Sequence, residues 1–402
     1  MIQRDEYLDR LSSGREKQII KVVTGVRRCG KSTLFTLYID YLISTGVSED
    51  QIISVNLEDV EHEELLDYKA LYNFVKERLC KDKYTYVFID EVQNCNSFEK
   101  AVNSLFIKPN VDVYITGSNA FMFSGELATL LSGRYITIDM LPLSFKEYCE
   151  APSSAGKTIR ENFNDYLRFG SFPYVAIIER CDTVVIPYLE GIYSTILLKD
   201  VAKREGITDV SLLENIIKFV AASVGSPISA KKISDTINSS GRKISVNTVE
   251  RYLRALTDSY IFYKVERYDI KGRQHLKTLG KYYLVDSGIR NLLLSTSSSD
   301  LGHMIENVVY LELLRRGFKV NIGKFYEKEV DFVAGDMNGR TYYQVAASVL
   351  DESTLNRELE PLQKIADNYP KILLTLDDIG PGRNFAGIHH RNLLDWLWQE
   401  EP

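Results

Sequence analysis

The run Ile19-Ile-Lys-Val-Val-Thr24, continued by Gly25-Val-Arg-Arg-Cys-Gly30-Lys31-Ser32-Thr33, decides the fold of this chain. A β-branched segment leads into a Gly-x-x-x-x-Gly-Lys-Ser loop, and a helix-compatible segment from Leu34 to Leu42 follows the loop. A buried strand, a glycine-rich turn and a helix in this order are the context of a phosphate-binding P-loop. The sequence therefore predicts a site for the phosphates of a nucleotide near the start of the molecule.

The predicted loop would hold phosphate mainly through its backbone. Gly25 and Gly30 can adopt backbone angles closed to other residues, so that successive N–H groups face phosphate oxygens. We expect Lys31 to reach the β- and γ-phosphates of ATP, and the Ser32 hydroxyl to coordinate Mg²⁺. The predicted ATP-binding residues are Gly25, Val26, Arg27, Arg28, Cys29, Gly30, Lys31, Ser32 and Thr33.

A second buried run, Thr85-Tyr-Val-Phe-Ile-Asp90-Glu91, ends in two carboxylates. It predicts a parallel strand whose carboxyl end opens into a site. We expect Asp90 to bind Mg²⁺ through its water shell and Glu91 to polarise an attacking water. The alternative is a pair of exposed acids that only ends a strand.

Further candidate residues follow two later strand-like runs. Ser118 and Asn119 come after the run 111–117 and are candidates to contact the γ-phosphate or the attacking water; their alternative role is to cap a helix. Arg134 precedes the run 135–140 and is a candidate to stabilise transition-state charge, either in cis or from a neighbouring subunit. The second option would require a homo-oligomer, and the alternative is a surface arginine.

Composition is that of an ordinary globular protein, with 45% hydrophobic and 26% charged residues among 402. This length predicts two to four domains. The charged start, Met1-Ile-Gln-Arg-Asp-Glu-Tyr7, and the absence of a long apolar run predict a cytoplasmic protein with no membrane span. The five cysteines suggest neither a disulfide framework nor a zinc site.

The segment 211–290 resembles a winged helix in its layout of three helices followed by two strand-like runs and a basic turn, 271–277. The segment from Ser226 to Arg290 contains 13 Lys and Arg residues and 6 Asp and Glu residues, although the whole chain carries a net charge of −6. This basic island favours contact with double-stranded DNA, while a protein partner is the alternative. The candidate DNA-contacting residues are Asn247, Thr248, Arg251, Arg254, Lys271, Arg273 and Lys277, and the apolar face of the third helix is predicted to be Val246, Val249, Leu253 and Leu256.

The last hundred residues follow the skeleton of a restriction-endonuclease-like metal site, a helix and two strands that carry acids and a lysine. Glu306 and Asp331 fit this skeleton, but Gln344 replaces the third acid and Ala346 replaces the lysine. The missing charges predict a nuclease-shaped domain without nuclease activity. The pair His389-His390 has no acid or cysteine cluster nearby in sequence and is predicted to lie on the surface.

With these residues in view, the chain resembles the prokaryotic AAA-like P-loop ATPases described as ATP-binding proteins. The resemblance rests on Thr24–Ser32, Val87–Gln93, Ile115–Asn119, Leu131–Arg134, Leu141–Phe145, Lys281–Asp286 and Glu329–Val333. It implies an α/β fold in which a parallel sheet has an additional strand between the P-loop strand and the acidic strand. It also implies ATP binding and Mg²⁺-dependent hydrolysis, but no biological role.

Four domains are therefore predicted: an AAA-like P-loop core at 1–150, a helical lid at 151–205, a winged helix at 206–292 and an inactive endonuclease-like domain at 293–402. The main hypothesis is an ATPase that moves its winged helix. Two alternatives stay open: a nucleotide-switched DNA- or protein-binding regulator with negligible turnover, and an ATP-dependent nuclease.

Overall fold

The structure is a computed structural model that describes residues 2–119, 131, 133–272, 274–294, 301–337 and 339–399, and for residues 274–278 it describes the backbone alone. The chain divides into two compact units. Unit 1 contains Met1–Pro142 and Asp258–Tyr260, and unit 2 contains Leu143–Thr257 and Ile261–Pro402.

Unit 1 is built on a parallel sheet of five strands in the order β2-β3-β4-β1-β5. The strands are β1 Ile20–Thr24, β2 Ile52–Asn56, β3 Thr85–Asp90, β4 Val111–Gly117 and β5 Tyr135–Asp139. Strand β4 lies between the P-loop strand β1 and the acidic strand β3. The predicted additional-strand sheet is confirmed.

Strands β1 and β3 are buried along their whole length, as expected for a parallel sheet covered on both faces. The helices of unit 1 are Asp5–Ser13, Lys31–Ser44, Tyr68–Lys76 and Phe98–Phe106. One charge within β1 needs compensation because Lys21 is fully buried. Its ammonium pairs with the carboxylate of Asp112 on the neighbouring strand β4.

Unit 2 begins with helices and ends with a mixed sheet. Its helices are Phe145–Cys149, Ile159–Phe169, Asp182–Thr195, Val210–Ala222, Ala230–Ser239, Val246–Asp258, Ser287–Leu293, Leu301–Arg315, Glu352–Gln363 and Leu393–Trp398, with a π-helical segment at Ile196–Lys203. Ser144 caps the first of these helices: its side chain accepts from the Glu147 N–H, and Glu147 accepts from the Ser144 N–H. This reciprocal pair is a capping box.

The sheet of unit 2 has the strand order β12-β13-β11-β10-β9-β8-β6-β7. The strands are β6 Phe262–Asp269, β7 Gln274–Leu284, β8 Lys319–Phe325, β9 Lys328–Gly335, β10 Arg340–Ala346, β11 Lys371–Thr375, β12 Asn384–Phe385 and β13 Ile388–Asn392. Strand β6 pairs with β7 as a hairpin and with β8 in parallel, so one sheet crosses the predicted boundary at residue 292. The turn expected at 271–277 is shorter than predicted, because β7 already begins at Gln274.

The three helices at 210–258 and the hairpin β6–β7 follow in the predicted order, but their identity as a winged helix stays a prediction. The same holds for the lid, for the endonuclease-like domain and for the cytoplasmic location. Within the described ranges, no helix combines the length and apolar character needed to cross a bilayer.

Candidate functional site

The candidate site of unit 1 lies at the carboxyl edge of its sheet. Strands β1, β3 and β4 run parallel, so their last residues share one edge. The P-loop follows β1, Asp90 ends β3, and Ser118 follows β4. Sheet topology thus brings together residues that are up to about a hundred positions apart in the chain.

The P-loop adopts the left-handed backbone angles expected at its glycines. Gly25 has a φ of +149°, and a Cβ atom there would lie 2.1 Å from the Met140 carbonyl oxygen. Gly30, at φ +105°, starts the helix Lys31–Ser44. Arg28 also has a positive φ, +69°. This angle was not expected from the sequence, because such angles favour glycine.

The other loop residues divide by burial. Val26 and Cys29 are buried, and burial raises the pKa of the Cys29 thiol. Arg27 pairs with Glu58 at 2.8 Å, while Ser32 and Thr33 are exposed at the start of the helix. The exposed hydroxyls are therefore accessible to a ligand, whereas the thiol packs inside the loop.

Lys31 is buried and forms one long salt bridge, to Glu91. Its Nζ donates to the carbonyl oxygens of Gly25 at 3.1 Å and Val26 at 3.3 Å. Oε1 of Glu91 lies 3.7 Å from Lys31 Nζ. The positive charge is thus held by backbone dipoles and is only loosely compensated, as a lysine that binds phosphate requires.

Asp90 lies between two hydroxyl groups. Thr116 of β4 donates to Asp90 Oδ1, and the Ser32 hydroxyl also hydrogen-bonds this carboxyl. Burial raises the pKa of Asp90, and the bonds from Ser32 and Thr116 oppose that rise in part. A carboxylate beside a hydroxyl offers the oxygen ligands that Mg²⁺ prefers, so these residues fit the predicted metal.

Glu91 is fixed by its neighbours in space. Its N–H donates to Thr116 Oγ1 at 2.8 Å, and its Oε2 accepts from Gln93 Nε2. Gln93 Nε2 also lies 3.2 Å from Ser118 Oγ, which draws Ser118 into the same network. Asn119, the next residue, is also buried. The alternative role of Ser118 and Asn119, to cap a helix, concerns residues that lie outside the described part of the chain.

The structure does not bring Arg134 to this edge. Its carbonyl accepts from the N–H of Ile20, the first residue of β1, and its guanidinium lies 5.5 Å from the centre of the Phe106 ring. A strand of five residues spans about 16 Å, so Arg134 sits at the opposite end of β1 from the P-loop. This placement contradicts a role in cis, and a role across a subunit interface stays a prediction.

Sequence reasoning missed Thr116 and Gln93 as parts of the site. Thr116 is a fully buried strand residue, indistinguishable in the sequence from a β-branched core residue. The signal for Gln93 in the sequence was its polar side chain two positions beyond Glu91. Both act on the acids through hydrogen bonds that only the folded sheet creates.

Only some of the candidate DNA-contacting residues of unit 2 are exposed. Asn247, Arg251 and Arg254 are exposed on the helix Val246–Asp258, while Thr248 is half-buried and bonded to Ser245. Lys271 donates to the Tyr326 hydroxyl at 2.5 Å and lies 4.3 Å from the centre of its ring. Arg273 and the side chain of Lys277 lie outside the described residues. Val246, placed on the apolar face from sequence, is 37% exposed, which corrects that assignment.

Glu306 of the predicted endonuclease skeleton contacts Lys281, a lysine outside the predicted motif. Lys281 of β7 lies 3.0 Å from Glu306 Oε1 and 2.6 Å from Glu329 Oε1. The Tyr283 hydroxyl donates to the same Glu306 oxygen at 2.6 Å. Burial lowers the pKa of Lys281, but the nearby carboxylates outweigh burial and leave that pKa above its ordinary value.

Asp331 and Gln344 complete this cluster on neighbouring strands. The Val345 N–H donates to Asp331 Oδ2 at 2.8 Å, and Gln344 Nε2 donates to Glu358 Oε2 at 2.8 Å. Burial first, and the Glu306 charge second, raise the pKa of Asp331 well above its ordinary value. In the described part of the chain, no three His, Cys, Asp or Glu side chains are grouped as metal ligands.

Comparison with known proteins defines the class of unit 1. Residues 17–149 match the model of the AAA domain, and residues 160–300 match a domain of unknown function (DUF8612). The Walker-type ATPase of Pyrococcus abyssi shares the fold, with a TM-score of 0.50 at 15% identity over 73% of this chain and 96% of that chain. Residues 17–149 are therefore assigned to the AAA domain.

Two full-length relatives define the family. A protein of Haemophilus influenzae, described as uncharacterized, is 37% identical over 402 residues and 99% of each chain. An uncharacterized protein of Methanocaldococcus jannaschii is 30% identical over 386 residues, which cover 90% of this chain and 83% of that protein. The chain belongs to the family of these two proteins.

Proposed function

We propose that this protein hydrolyses ATP at the carboxyl edge of the unit 1 sheet. The observation that carries the proposal is the pairing of a loosely compensated Lys31 with a fixed Glu91, 3.7 Å apart beside the P-loop. The P-loop backbone binds the phosphates, and Lys31 exchanges its carbonyl partners for phosphate oxygens.

Glu91 is the residue that orients the attacking water. That water attacks the γ-phosphorus, the bond from this phosphorus to the β–γ bridging oxygen breaks, and ADP and phosphate leave. Asp90 and Ser32 would hold Mg²⁺, which supplies positive charge to the phosphates when bound. Thr116 keeps both acids in place, because it donates to Asp90 and accepts from the Glu91 N–H.

Calorimetry and phosphate release test this proposal together. The wild-type protein is expected to bind ATP in the presence of Mg²⁺ and to release phosphate. Glu91→Gln is expected to keep ATP binding and to lower phosphate release by about a hundredfold, because the amide no longer polarises water. Glu63→Gln, an exposed acid of the same unit, is the matched control.

The outcome also separates the ATPase from a nucleotide-switched regulator. Tight ATP binding with no phosphate release in the wild-type protein would favour the regulator. Absence of magnesium-dependent ATP binding would overturn both.

We also propose that unit 2 contacts double-stranded DNA through the helix Val246–Asp258. Asn247, Arg251 and Arg254 are spaced by four and three residues, so they share one exposed face of this helix. Arg251→Ala and Arg254→Ala are each expected to weaken DNA binding and to reduce the salt slope by about 1. Lys218→Ala, on the exposed side of the helix Val210–Ala222, is the control.

Unchanged DNA affinity in both arginine variants would favour a protein partner for this face. Adding duplex DNA to the phosphate-release assay tests whether DNA contact and ATP hydrolysis are coupled. A DNA effect that fades steeply as salt rises would support the basic island as its origin.

Nuclease activity is not part of the proposal, because Gln344 and Ala346 replace an acid and the lysine of the skeleton, and Lys281 pairs with Glu306, one of its two remaining acids. Incubation of plasmid DNA with the protein, ATP and Mg²⁺ or Mn²⁺ tests this point. Intact plasmid is the expected result, and cleavage would revive the nuclease alternative.

A further inference from the structure

Arg4, a residue outside the matched AAA domain, holds the P-loop from the side. Arg4 is only 3% exposed, and it immediately precedes the helix Asp5–Ser13. Nη1 donates to the Cys29 carbonyl at 3.2 Å, and Nη2 donates to the Leu141 carbonyl at 2.8 Å. One guanidinium therefore ties the P-loop to the segment that follows β5.

Tyr7 supports this arrangement from the next turn of the chain. The centre of its ring lies 4.8 Å from the Arg4 guanidinium carbon, and its hydroxyl accepts from the Leu141 N–H at 3.1 Å. The other end of the loop is fixed to the same segment, because the Met140 N–H donates to the Thr24 carbonyl at 2.7 Å. Both ends of the P-loop are thus anchored to residues 140–141.

The bond to Cys29 also sets the direction of the next amide. A trans peptide is planar, so the Cys29 C=O and the Gly30 N–H point in opposite directions. When the carbonyl faces Arg4, the Gly30 N–H therefore faces away from Arg4. Without Arg4, this peptide plane would be free to rotate, since glycine tolerates many backbone angles.

We propose that Arg4 is a positioning residue for triphosphate binding: it fixes the Cys29–Gly30 peptide so that the Gly30 N–H faces the phosphates. This inference rests on the proposed ATP site and names a residue that acts on it indirectly. Loss of this role should weaken the affinity of each molecule for ATP. Loss of general stabilisation should instead reduce the fraction of molecules that can bind.

Calorimetric titration of Mg²⁺-ATP into Arg4→Met tests the proposal. Methionine keeps much of the length of the side chain but donates no hydrogen bond. The dissociation constant is expected to rise about tenfold at unchanged stoichiometry, because a buried charged donor is lost from the loop. A merely structural role would instead lower the stoichiometry, since unfolded molecules do not bind, and would leave the dissociation constant unchanged.

Two further variants keep the test decisive if Arg4→Met folds poorly. Arg4→Lys retains one donor and is expected to lose only about threefold in affinity. Lys17→Met is the control, because Lys17 is an exposed cation of the same unit. Wild-type affinity in both Arg4 variants, or an equal loss in Lys17→Met, would overturn the inference alone. Absence of ATP binding by the wild-type protein would overturn the proposed function as well.

Discussion

The two units each contain a buried lysine beside carboxylates, and the two lysines are compensated differently. Both side chains are only 3% exposed. Lys31 rests on two backbone carbonyls and lies 3.7 Å from Glu91, whereas Lys281 makes contacts of 3.0 Å and 2.6 Å with Glu306 and Glu329.

This difference shows that compensation of charge, and not burial, separates the two sites. A buried ammonium that is held by carbonyl dipoles keeps most of its attraction for an incoming anion. An ammonium in contact with two carboxylates has little left to offer a ligand, and it is costly to remove because the acids then lose their partner. We therefore expect Lys31 to matter for activity and Lys281 to matter for stability.

The largest expected effect is on stability in Lys281→Met. Removal of the ammonium leaves buried carboxylates uncompensated, which should lower the free energy of unfolding by about 3–5 kcal/mol. Both tryptophans, Trp396 and Trp398, lie in unit 2, so urea denaturation followed by their fluorescence measures this unit. Lys319→Met, an exposed lysine of β8, should change that value by no more than about 0.5 kcal/mol.

A second substitution sharpens this result. Lys281→Met combined with Glu306→Gln should recover part of the loss, because one of the uncompensated charges is removed as well. A double variant that is less stable than Lys281→Met would contradict the assignment of the loss to unpaired charge.

Lys31→Met should reverse the pattern. Loss of the ammonium is expected to lower ATP turnover by about 10²–10³, since the transition state loses a fixed positive charge. Stability should fall by less than in Lys281→Met, because Lys31 forms one long salt bridge, of 3.7 Å to Glu91, whereas Lys281 makes two shorter ones. Phosphate release and thermal unfolding measure the two effects, with the exposed Lys83→Met as control. A strongly destabilised but active Lys31 variant would erase the distinction between the two lysines.

Thr116→Val tests how the acids of unit 1 are held. Valine matches threonine in shape but leaves the Glu91 N–H without its acceptor and Asp90 without one of its two hydroxyl donors. A loss of about 1–3 kcal/mol in stability is expected from the unpaired buried group, together with about tenfold slower turnover. Thr116→Ser keeps the hydroxyl and should restore most of the turnover. Equal turnover in the valine and serine variants would argue against a role for this hydroxyl.

The smallest effect is expected at Asp331, where burial raises the pKa. Folding then favours the protonated carboxyl, so its stabilising contribution is complete at low pH and is lost as the pH rises through the folded-state pKa. Asp331→Asn removes the charge, and should raise the unfolding free energy by on the order of 1 kcal/mol at high pH. The gain should disappear near pH ~4, the ordinary range of an aspartate.

A pH series of urea denaturation checks this prediction. The exposed Asp235→Asn should show a difference from wild type that does not grow with pH. A gain for Asp331→Asn that is greatest at acidic pH would have the wrong sign and would contradict the inferred pKa shift.

The sequence by itself determined the local elements of unit 1. The P-loop spacing and the acidic strand depend on local patterns of glycine, β-branched residues and terminal acids. Such patterns specify a strand, turn and helix without long-range contacts. The place of the additional strand in the sheet was implied by the resemblance to AAA-like P-loop ATPases, because local patterns do not set the order of strands.

Only the tertiary structure decided which side chains meet. Arg4 reaches Cys29 across 25 positions, and Lys281 meets Glu306 through the pairing of distant elements. Tertiary structure also placed Arg134 away from the P-loop, and it buried His390, predicted to be exposed, with its Nε2 2.8 Å from Thr375 Oγ1. Burial and charge compensation depend on contacts between remote segments, and a one-dimensional pattern does not record such contacts.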